Sequence, residues 1–297
     1  MSRYTRAVTR AHAKINLALN ITGTAANGYH MLETVMQSVA LCDVVTVHLL
    51  PTPGIRLICS DPSIPRDESN TAMKAVRVFF THTGLPETGL DIHIEKSIPT
   101  EAGLGGGSAD AAAVLIALDT LFKTNLTSQQ LSALGALVGA DVPFCLTGGT
   151  ALATGIGDIL EPLPPLPDCP ILLVKPPQGV STKEAYRAYD DSTQKPAPSD
   201  IPALCSALAR GDLVAIGQNM GNVFQSLPVP AEVPRAMHIL QEHSAYGAAM
   251  SGSGSAVAGL FPKGRDLTAC ANQLHAEVGV VRQVSPTDRG IVCLSLE

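Results

Sequence analysis

The chain has 297 residues, of which 15% are charged and 45% hydrophobic, and a formal net charge of −6. That length suits about two domains of ordinary size, and the composition is that of a compact, loop-rich protein rather than a disordered one. The acidic balance excludes a general binder of nucleic acid or anionic membrane, which needs a basic face, and no apolar run approaches the roughly 20 residues of a membrane span.

The opening stretch MSRYTRAVTRAHAK has the Arg and Ser/Thr of a transit peptide. It is too short for one and runs directly into a strand, so it reads as part of the fold. Lys14 to Thr22, KINLALNIT, alternates, with Ile15, Leu17, Leu19 and Ile21 on one side. This predicts a half-buried strand with Lys14 and Asn16 together on its open face. Asn27-Gly28 is a strong turn signal, because both residues tolerate positive φ, and it delivers Tyr29 and His30. Strands are predicted at 32–40, 43–50, 54–59 and 90–96, with a helix near 70–81. Asp91, His93 and Glu95 share one strand face and read as a solvated face rather than a metal site.

The most informative segment is Pro99 to Ala113, PTEAGLGGGSADAAA, where Gly103, Gly105, Gly106 and Gly107 directly precede a helical period. Glycine lets the backbone approach a ligand closely and point successive N–H groups at it. A helix behind such a loop adds unpaired N–H groups and a positive dipole end. Gly103, Leu104, Gly105, Gly106, Gly107 and Ser108 are therefore read as a phosphate loop, with a plain tight turn as the alternative. No Gly-Lys-Ser/Thr follows, so it is not a Walker A loop, and Ser108 stands where a dinucleotide fingerprint needs its third glycine. Ala112, Leu115, Ile116 and Phe122 predict a helix over 109–123. Ser108 is placed to cap it, to hold a Mg²⁺, or both, and Asp110 reads as an acid stabilising the helix dipole.

Thr127-Ser128-Gln129-Gln130 is a capping-box pattern that starts a second helix running to Gly139. Asp141 follows within GADVPF, where Pro143 is expected to stop helix from continuing. EPLPPLPDC at 161–169 holds four prolines and predicts a boundary between domains 1–162 and 163–297. Beyond it are a strand at 171–175, several helices, short strands around 246–250 and 256–260, and a helix near 265–278. Between the short strands lies a second glycine loop, Ser251-Gly252-Ser253-Gly254, either a hairpin turn or another phosphate-handling loop. Runs of strands and runs of helices indicate an α+β protein with antiparallel sheets. The seven cysteines are scattered and contain no C-x-x-C, which reads as reduced thiols in a cytoplasmic protein.

These pieces in this order resemble the galactokinase–homoserine kinase–mevalonate kinase–phosphomevalonate kinase (GHMP) superfamily. The likeness rests on AKINLALNITG, PTEAGLGGGSADAA and MSGSGSAVAGLF. NGYHMLETVMQS and GADVPFCLTGGTALATGIGD are similar to the members that act on a cytidyl diphosphate alcohol. The resemblance implies an N-terminal ribosomal-protein-S5-like ATP-binding domain, a C-terminal ferredoxin-like substrate-binding domain, and a site in the cleft between them. It implies ATP as donor, with Mg²⁺, and transfer of the γ-phosphate to the 2-hydroxyl of a cytidine-diphosphate-linked methylerythritol, in non-mevalonate isoprenoid synthesis.

Carried onto this chain, the resemblance implies that Lys14 and Asp141 are the catalytic pair and that Tyr29 and His30 read the cytidine. Asn16, Tyr186 and Thr182 match further substrate contacts, and Asn70 and Lys96 match the nucleotide pocket. Asn27 stands where Asp is common and Cys145 where an aromatic is common; neither removes a group the chemistry uses. A kinase for a small acid such as homoserine would not need the Tyr29-His30 platform. A non-catalytic nucleotide sensor would not need Lys14 and Asp141. The expected state is a monomer or weak homodimer that binds neither nucleic acid nor membrane.

Overall fold

Two long strands, β1 (Arg6–Thr24) and β2 (His30–Leu50), form an antiparallel ribbon through the middle of the first sheet. The computed structural model describes residues 4–26 and 28–297; Asn27, half of the expected Asn-Gly turn, lies outside the described residues. Gly28 has φ 86°, the left-handed geometry that such a turn demands, and its N–H bonds Ala25 O at 2.9 Å. β2 is continuous where two strands were predicted. The pairing jumps from His12–Cys42 to Ala13–Val39, so Ala40 and Leu41 are absorbed in a bulge that bends the ribbon without ending it.

The strand β3 (Ile55–Cys59), the helix α1 (Thr71–Thr83) and the strand β4 (Gly89–Glu95) form a parallel crossover unit. Three helices follow, α2 (Gly106–Phe122), α3 (Ser128–Val138) and α4 (Val142–Thr147). Then come β5 (Thr150–Thr154), paired with β2, and β6 (Ile159–Pro162), paired with β5. The helix α2 is buried almost all round rather than along one stripe. Its run of Ala109, Ala111, Ala112 and Ala113 is fully buried, and such small side chains let it lie close to the ribbon and to α1 together. The capping box of α3 forms as expected, with Gln130 N on Thr127 Oγ1 at 3.2 Å and Thr127 N on Gln130 Oε1 at 2.9 Å.

After the proline-rich stretch come β7 (Ile171–Lys175), α5 (Thr182–Asp191), α6 (Ile201–Arg210) and α7 (Leu213–Gln218). The two-residue strand β8 (Gly221–Asn222) runs parallel to β1 at Ala18 and Leu19. The chain continues through α8 (Glu232–Glu242), β9 (Gly247–Met250), β10 (Val257–Leu260), α9 (Thr268–Glu277), β11 (Val280–Val284) and β12 (Ile291–Leu296). The second sheet has the order β11-β7-β10-β9, all antiparallel, with α8 and α9 as its connections. That is the ferredoxin-like β-α-β-β-α-β path. β12 crosses back to the first sheet and pairs with β1, giving β12-β1-β2-β4-β3. Neither β11 nor β12 was among the expected strands. Among the described residues no helix is long and apolar enough to cross a membrane.

Candidate active site

The glycine loop sits where β1, α2 and the β9–β10 connection converge. Gly103 and Gly105 have φ of 73° and 71°, a region that other residues enter only with strain. A Cβ on Gly103 would lie 1.9 Å from Ser251 O, so the two glycine loops touch backbone to backbone here. Ser251 Oγ donates to Gly103 O at 2.8 Å, and Ala256 N donates to Ala102 O at 3.1 Å. The second loop is thus more than a hairpin turn: it clamps the first. Replacing Gly103 with Ala both strains φ and forces the loops apart; urea unfolding should show a loss above about 2 kcal/mol.

The helix α2 begins at Gly106 with Gly105 as its cap and no side-chain cap, which corrects the expected role of Ser108. Ser108 lies inside the first turn instead, and its Oγ has no hydrogen-bond partner among the described residues. Nor does Asp110 serve the helix dipole as expected, since it lies beyond the first turn of α2. It is 4% exposed and turned toward Lys96, whose Nζ lies 2.7 Å from Asp110 Oδ2 and also bonds Asp43.

Lys14 and Asn16 were expected on an open face, but they are only 4% and 2% exposed, because the two glycine loops cover that face. Lys14 N donates to Leu104 O at 3.0 Å, tying the strand to the loop. Lys14 Nζ is 2.7 Å from Asn16 Oδ1 and 3.2 Å from Asp141 Oδ2. Asn16 Oδ1 also accepts Gly252 N at 2.9 Å, while its Nδ2 donates to Thr34 Oγ1 at 2.8 Å. Both polar atoms of the Asn16 side chain are therefore engaged in fixing Lys14, the second loop and β2. Asp141 caps α4, and Pro143 sits in the first turn of that helix, where no N–H bond is lost. Pro143 was expected to stop helix; it separates α3 from α4 and starts the latter. Cys145, one turn on, is completely buried beneath Asp141.

Two cavities open on either side of this pair. The first, about 570 Å³, is lined by the glycine loop together with Asn70, Thr71, Lys96 and Asp110. Asn70 there accepts Ala72 N at 2.8 Å as the cap of α1 and holds Pro65 O with its amide. The second, about 990 Å³, is lined by Lys14, Asn16, Tyr29, His30, Tyr186 and Gly252 among others. Ser108, Asp141 and Thr182 border both cavities. Thr182 opens α5, with its Oγ1 3.1 Å from Ser253 Oγ, so the second loop meets the start of that helix there. Gly254 lines only the first cavity.

Tyr29 stands 62% exposed at the rim of the second cavity. The His30 ring stacks on Tyr186, with centroids 4.7 Å apart, and Tyr186 meets Phe224 edge-on at 5.0 Å. Burial, with the charge of Asp141 adding to it, pushes the Tyr186 phenol up to about 12. The residues brought together are thus those expected, with three additions. Thr34, Asn222 and Asp43 hold the site from behind: Asn222 Nδ2 donates to Met250 O and Gly252 O, both at 2.7 Å. Of these only Asp43 left a legible signal, as a single carboxylate inside the apolar run SVALCDVVTV. Asp91 and His93 serve a surface network instead. Arg56 Nε and Nη2 hold Asp91 at 2.8 and 2.6 Å and, as the main cause, lower its carboxyl to about 2. No group of three or more His, Cys, Asp or Glu among the described residues is placed to hold a metal.

Comparison with known proteins agrees with this architecture. Residues 70–149 match the GHMP kinases N terminal domain, and residues 204–280 match the GHMP kinases C terminal domain. The 4-diphosphocytidyl-2-C-methyl-D-erythritol kinase of Lachnospira eligens is 39% identical over 281 residues, which covers 94% of this chain and 96% of that one. The enzyme of the same name from Gloeobacter violaceus is 43% identical over 286 residues, 94% of each. A crystal structure of a 4-(cytidine 5'-diphospho)-2C-methyl-D-erythritol kinase superposes with a TM-score of 0.75 at 34% identity, covering 94% of this chain and 98% of that chain. Homoserine kinase from Cytophaga hutchinsonii superposes with a TM-score of 0.80 at only 19% identity, over 99% of each chain, a likeness of fold. With both kinase domains matched and such identity over nearly the full length of these relatives, the chain belongs to the 4-diphosphocytidyl-2-C-methyl-D-erythritol kinase family of the GHMP kinases.

Proposed function

We propose that this chain transfers the γ-phosphoryl group of ATP to the 2-hydroxyl of 4-diphosphocytidyl-2-C-methyl-D-erythritol, in the non-mevalonate route to isoprenoid precursors. The observation that carries this reading is the meeting of two cavities at Asp141, with Lys14 Nζ 3.2 Å away. A donor and an acceptor bound one in each cavity face one another across that ion pair.

Phosphoryl transfer asks mainly for alignment and for neutralisation of charge. Asp141 hydrogen-bonds the acceptor hydroxyl and takes its proton as the new P–O bond forms. Lys14, held by Asn16 and crowded by Gly105, keeps its ammonium at Asp141 and beside the transferring group. N–H groups of Gly103 to Ser108 and the positive end of α2 receive the phosphates. A divalent cation suits the hydroxyl oxygen that Ser108 leaves free among the described residues, so Mg²⁺ would be held by Ser108 Oγ and the phosphates. The chemistry a Mg²⁺ held there would supply is neutralisation of phosphate charge during transfer. Asn70 and Lys96 are the walls of the nucleotide cavity, while Tyr29, His30 and Tyr186 grip the cytidine.

Residues 1–162 are assigned to ATP and 163–297 to the substrate wall, although the acceptor cleft draws on both, with Tyr29 from one and Tyr186 from the other. The seven free thiols suit a reducing cytoplasm, and a monomer or weak homodimer is the assigned state. ADP release measured with the cytidyl alcohol, homoserine and mevalonate tests the function: turnover of the cytidyl alcohol alone is expected, and turnover of homoserine alone would reject it. Replacing Tyr29 with Ala should raise KM for the acceptor by roughly 5- to 100-fold, the worth of one base stack, with KM for ATP unchanged. Equal losses for both ligands would reduce Tyr29 to a packing residue.

A further inference from the structure

His30 is held at one edge by a group outside the expected site. Its Nε2 lies 2.8 Å from Asp190 Oδ1, on the last turn of α5. The same helix supplies Tyr186, on which the His30 ring stacks at 4.7 Å, and Tyr189, which meets it edge-on at 6.1 Å. Lys195 Nζ bonds the backbone oxygens of Tyr189 and Asp190, at 2.5 and 3.1 Å, and so pins the end of the helix that carries the carboxylate. A carboxylate oxygen only accepts, so the proton between the two groups belongs to Nε2. The other ring nitrogen, Nδ1, has no hydrogen-bond partner among the described residues, and His30 lines the acceptor cleft.

We propose that Asp190 is a positioning residue that fixes His30 as the Nε2–H tautomer, so that Nδ1 offers a lone pair to the 4-amino group of the cytosine ring. The proposal rests on the cytidyl reading given above and deepens it. Which imidazole nitrogen carries the proton is set by the bond that the other one makes. Cytosine presents an N–H donor at C4, whereas uracil presents a carbonyl oxygen. Facing the Nδ1 lone pair, the first makes a hydrogen bond and the second sets two acceptors against each other. A site that hydrogen-bonds a substrate N–H rejects the analogue lacking it, because its own polar group is then left unpaired. Asp190 therefore reads the base without touching it.

Asp190 is exposed (56%), so its replacement leaves folding intact. The test compares wild type, Asp190→Ala and Asp190→Asn on the cytidyl alcohol and on its uridyl counterpart, with ¹⁵N-histidine NMR of each. Asp190→Ala should lower the cytidyl-to-uridyl ratio of kcat/KM by about tenfold, the worth of one hydrogen bond, with KM for ATP unchanged. Asp190→Asn, whose side-chain oxygen still accepts from Nε2–H, should keep most of the ratio. The His30 resonances should report Nε2–H in wild type and a mixture of tautomers in Asp190→Ala. A wild-type preference that Asp190→Ala retains in full, or a wild-type His30 protonated on Nδ1, would overturn the proposal while leaving the kinase reading in place. A wild type that phosphorylates neither alcohol would instead overturn that reading, and base discrimination with it.

Discussion

Replacing Asp141 with Asn lowers turnover by roughly 10²- to 10⁴-fold, the usual contribution of a positioned acid–base group. Affinity for ATP should stay within about threefold, since the nucleotide cavity keeps its glycine loop and its other lining side chains. The change is nearly isosteric. The start of α4 is undisturbed by it, because the native Asp141 makes no side-chain hydrogen bond as the cap of that helix. What disappears is the anion 3.2 Å from Lys14 Nζ and, among the described residues, the one carboxylate bordering both cavities. An amide can orient a hydroxyl but cannot take its proton. Rapid-quench single turnovers measure the chemical step directly. A variant within about fivefold of wild type would remove Asp141 from proton transfer and leave orientation alone, the share that proximity supplies.

The second large effect is on stability. Replacing Lys96 with Met should cost about 3–5 kcal/mol, the penalty for stranding buried charge when one partner of an ion pair is removed. Here Lys96 is 6% exposed in its side chain and stands between two carboxylates, Asp43 at 0% and Asp110 at 5%. Asp43 has other support, since its Oδ1 accepts Ser97 N and Ile98 N at 2.6 and 2.8 Å. Asp110 has less, and its Oδ1 is buried without a partner among the described residues. Burial, opposed by the charge of Lys96 and aided by that of Asp43, pushes the Asp110 carboxyl up to about 7.

The sign of the pH dependence follows. An unfolded aspartate titrates near about 4. Between there and about 7 the folded chain holds a proton that the unfolded chain lacks. The contribution of Asp110 is fully present below the unfolded value and is lost as pH rises through the folded one. Urea midpoints should therefore fall between pH 5 and pH 8 in wild type and change less in Asp110→Asn. A steeper fall in the variant would contradict this assignment. Asp43→Ala alongside Lys96→Met separates the two carboxylates: relief of the Lys96→Met penalty by that second change marks Asp43 as the stranded charge.

Local signals in the sequence carried much of this. Alternation located the strand of Lys14, the glycine cluster located the loop, and the capping box located α3, because each depends on neighbours in the chain. The long-range features were not legible in that way. Lys14 and Asn16 looked exposed because nothing near them in sequence covers them; their lid comes from residues 103–105 and 251–252. Ser108 looked like a cap because glycine at a left-handed cap position leaves no hydroxyl to notice. Asp110 looked like an acid serving the helix dipole because its cation, Lys96, is fourteen residues upstream, just past the end of β4. β11 and β12 were passed over because short alternating runs acquire meaning only from the strands beside them, β7 and β1.

That return of β12 to β1 also sets an order in time. Domains generally fold as units, the earlier one first, as the chain leaves the ribosome. Here Ile291 to Leu296 pair with Ala7 to Ala11, on the strand that carries Lys14 three residues further on. The first sheet stays open at that edge through synthesis of the entire second sheet, with an unsatisfied ladder as a standing invitation to other strands. Lys14 is made long before Ile291, yet residues 7–11 of its strand gain their second neighbour only when Ile291 to Leu296 have emerged. Pulse-labelled nascent chains halted just before residue 291 should accordingly resist protease in the second sheet before they do so along β1.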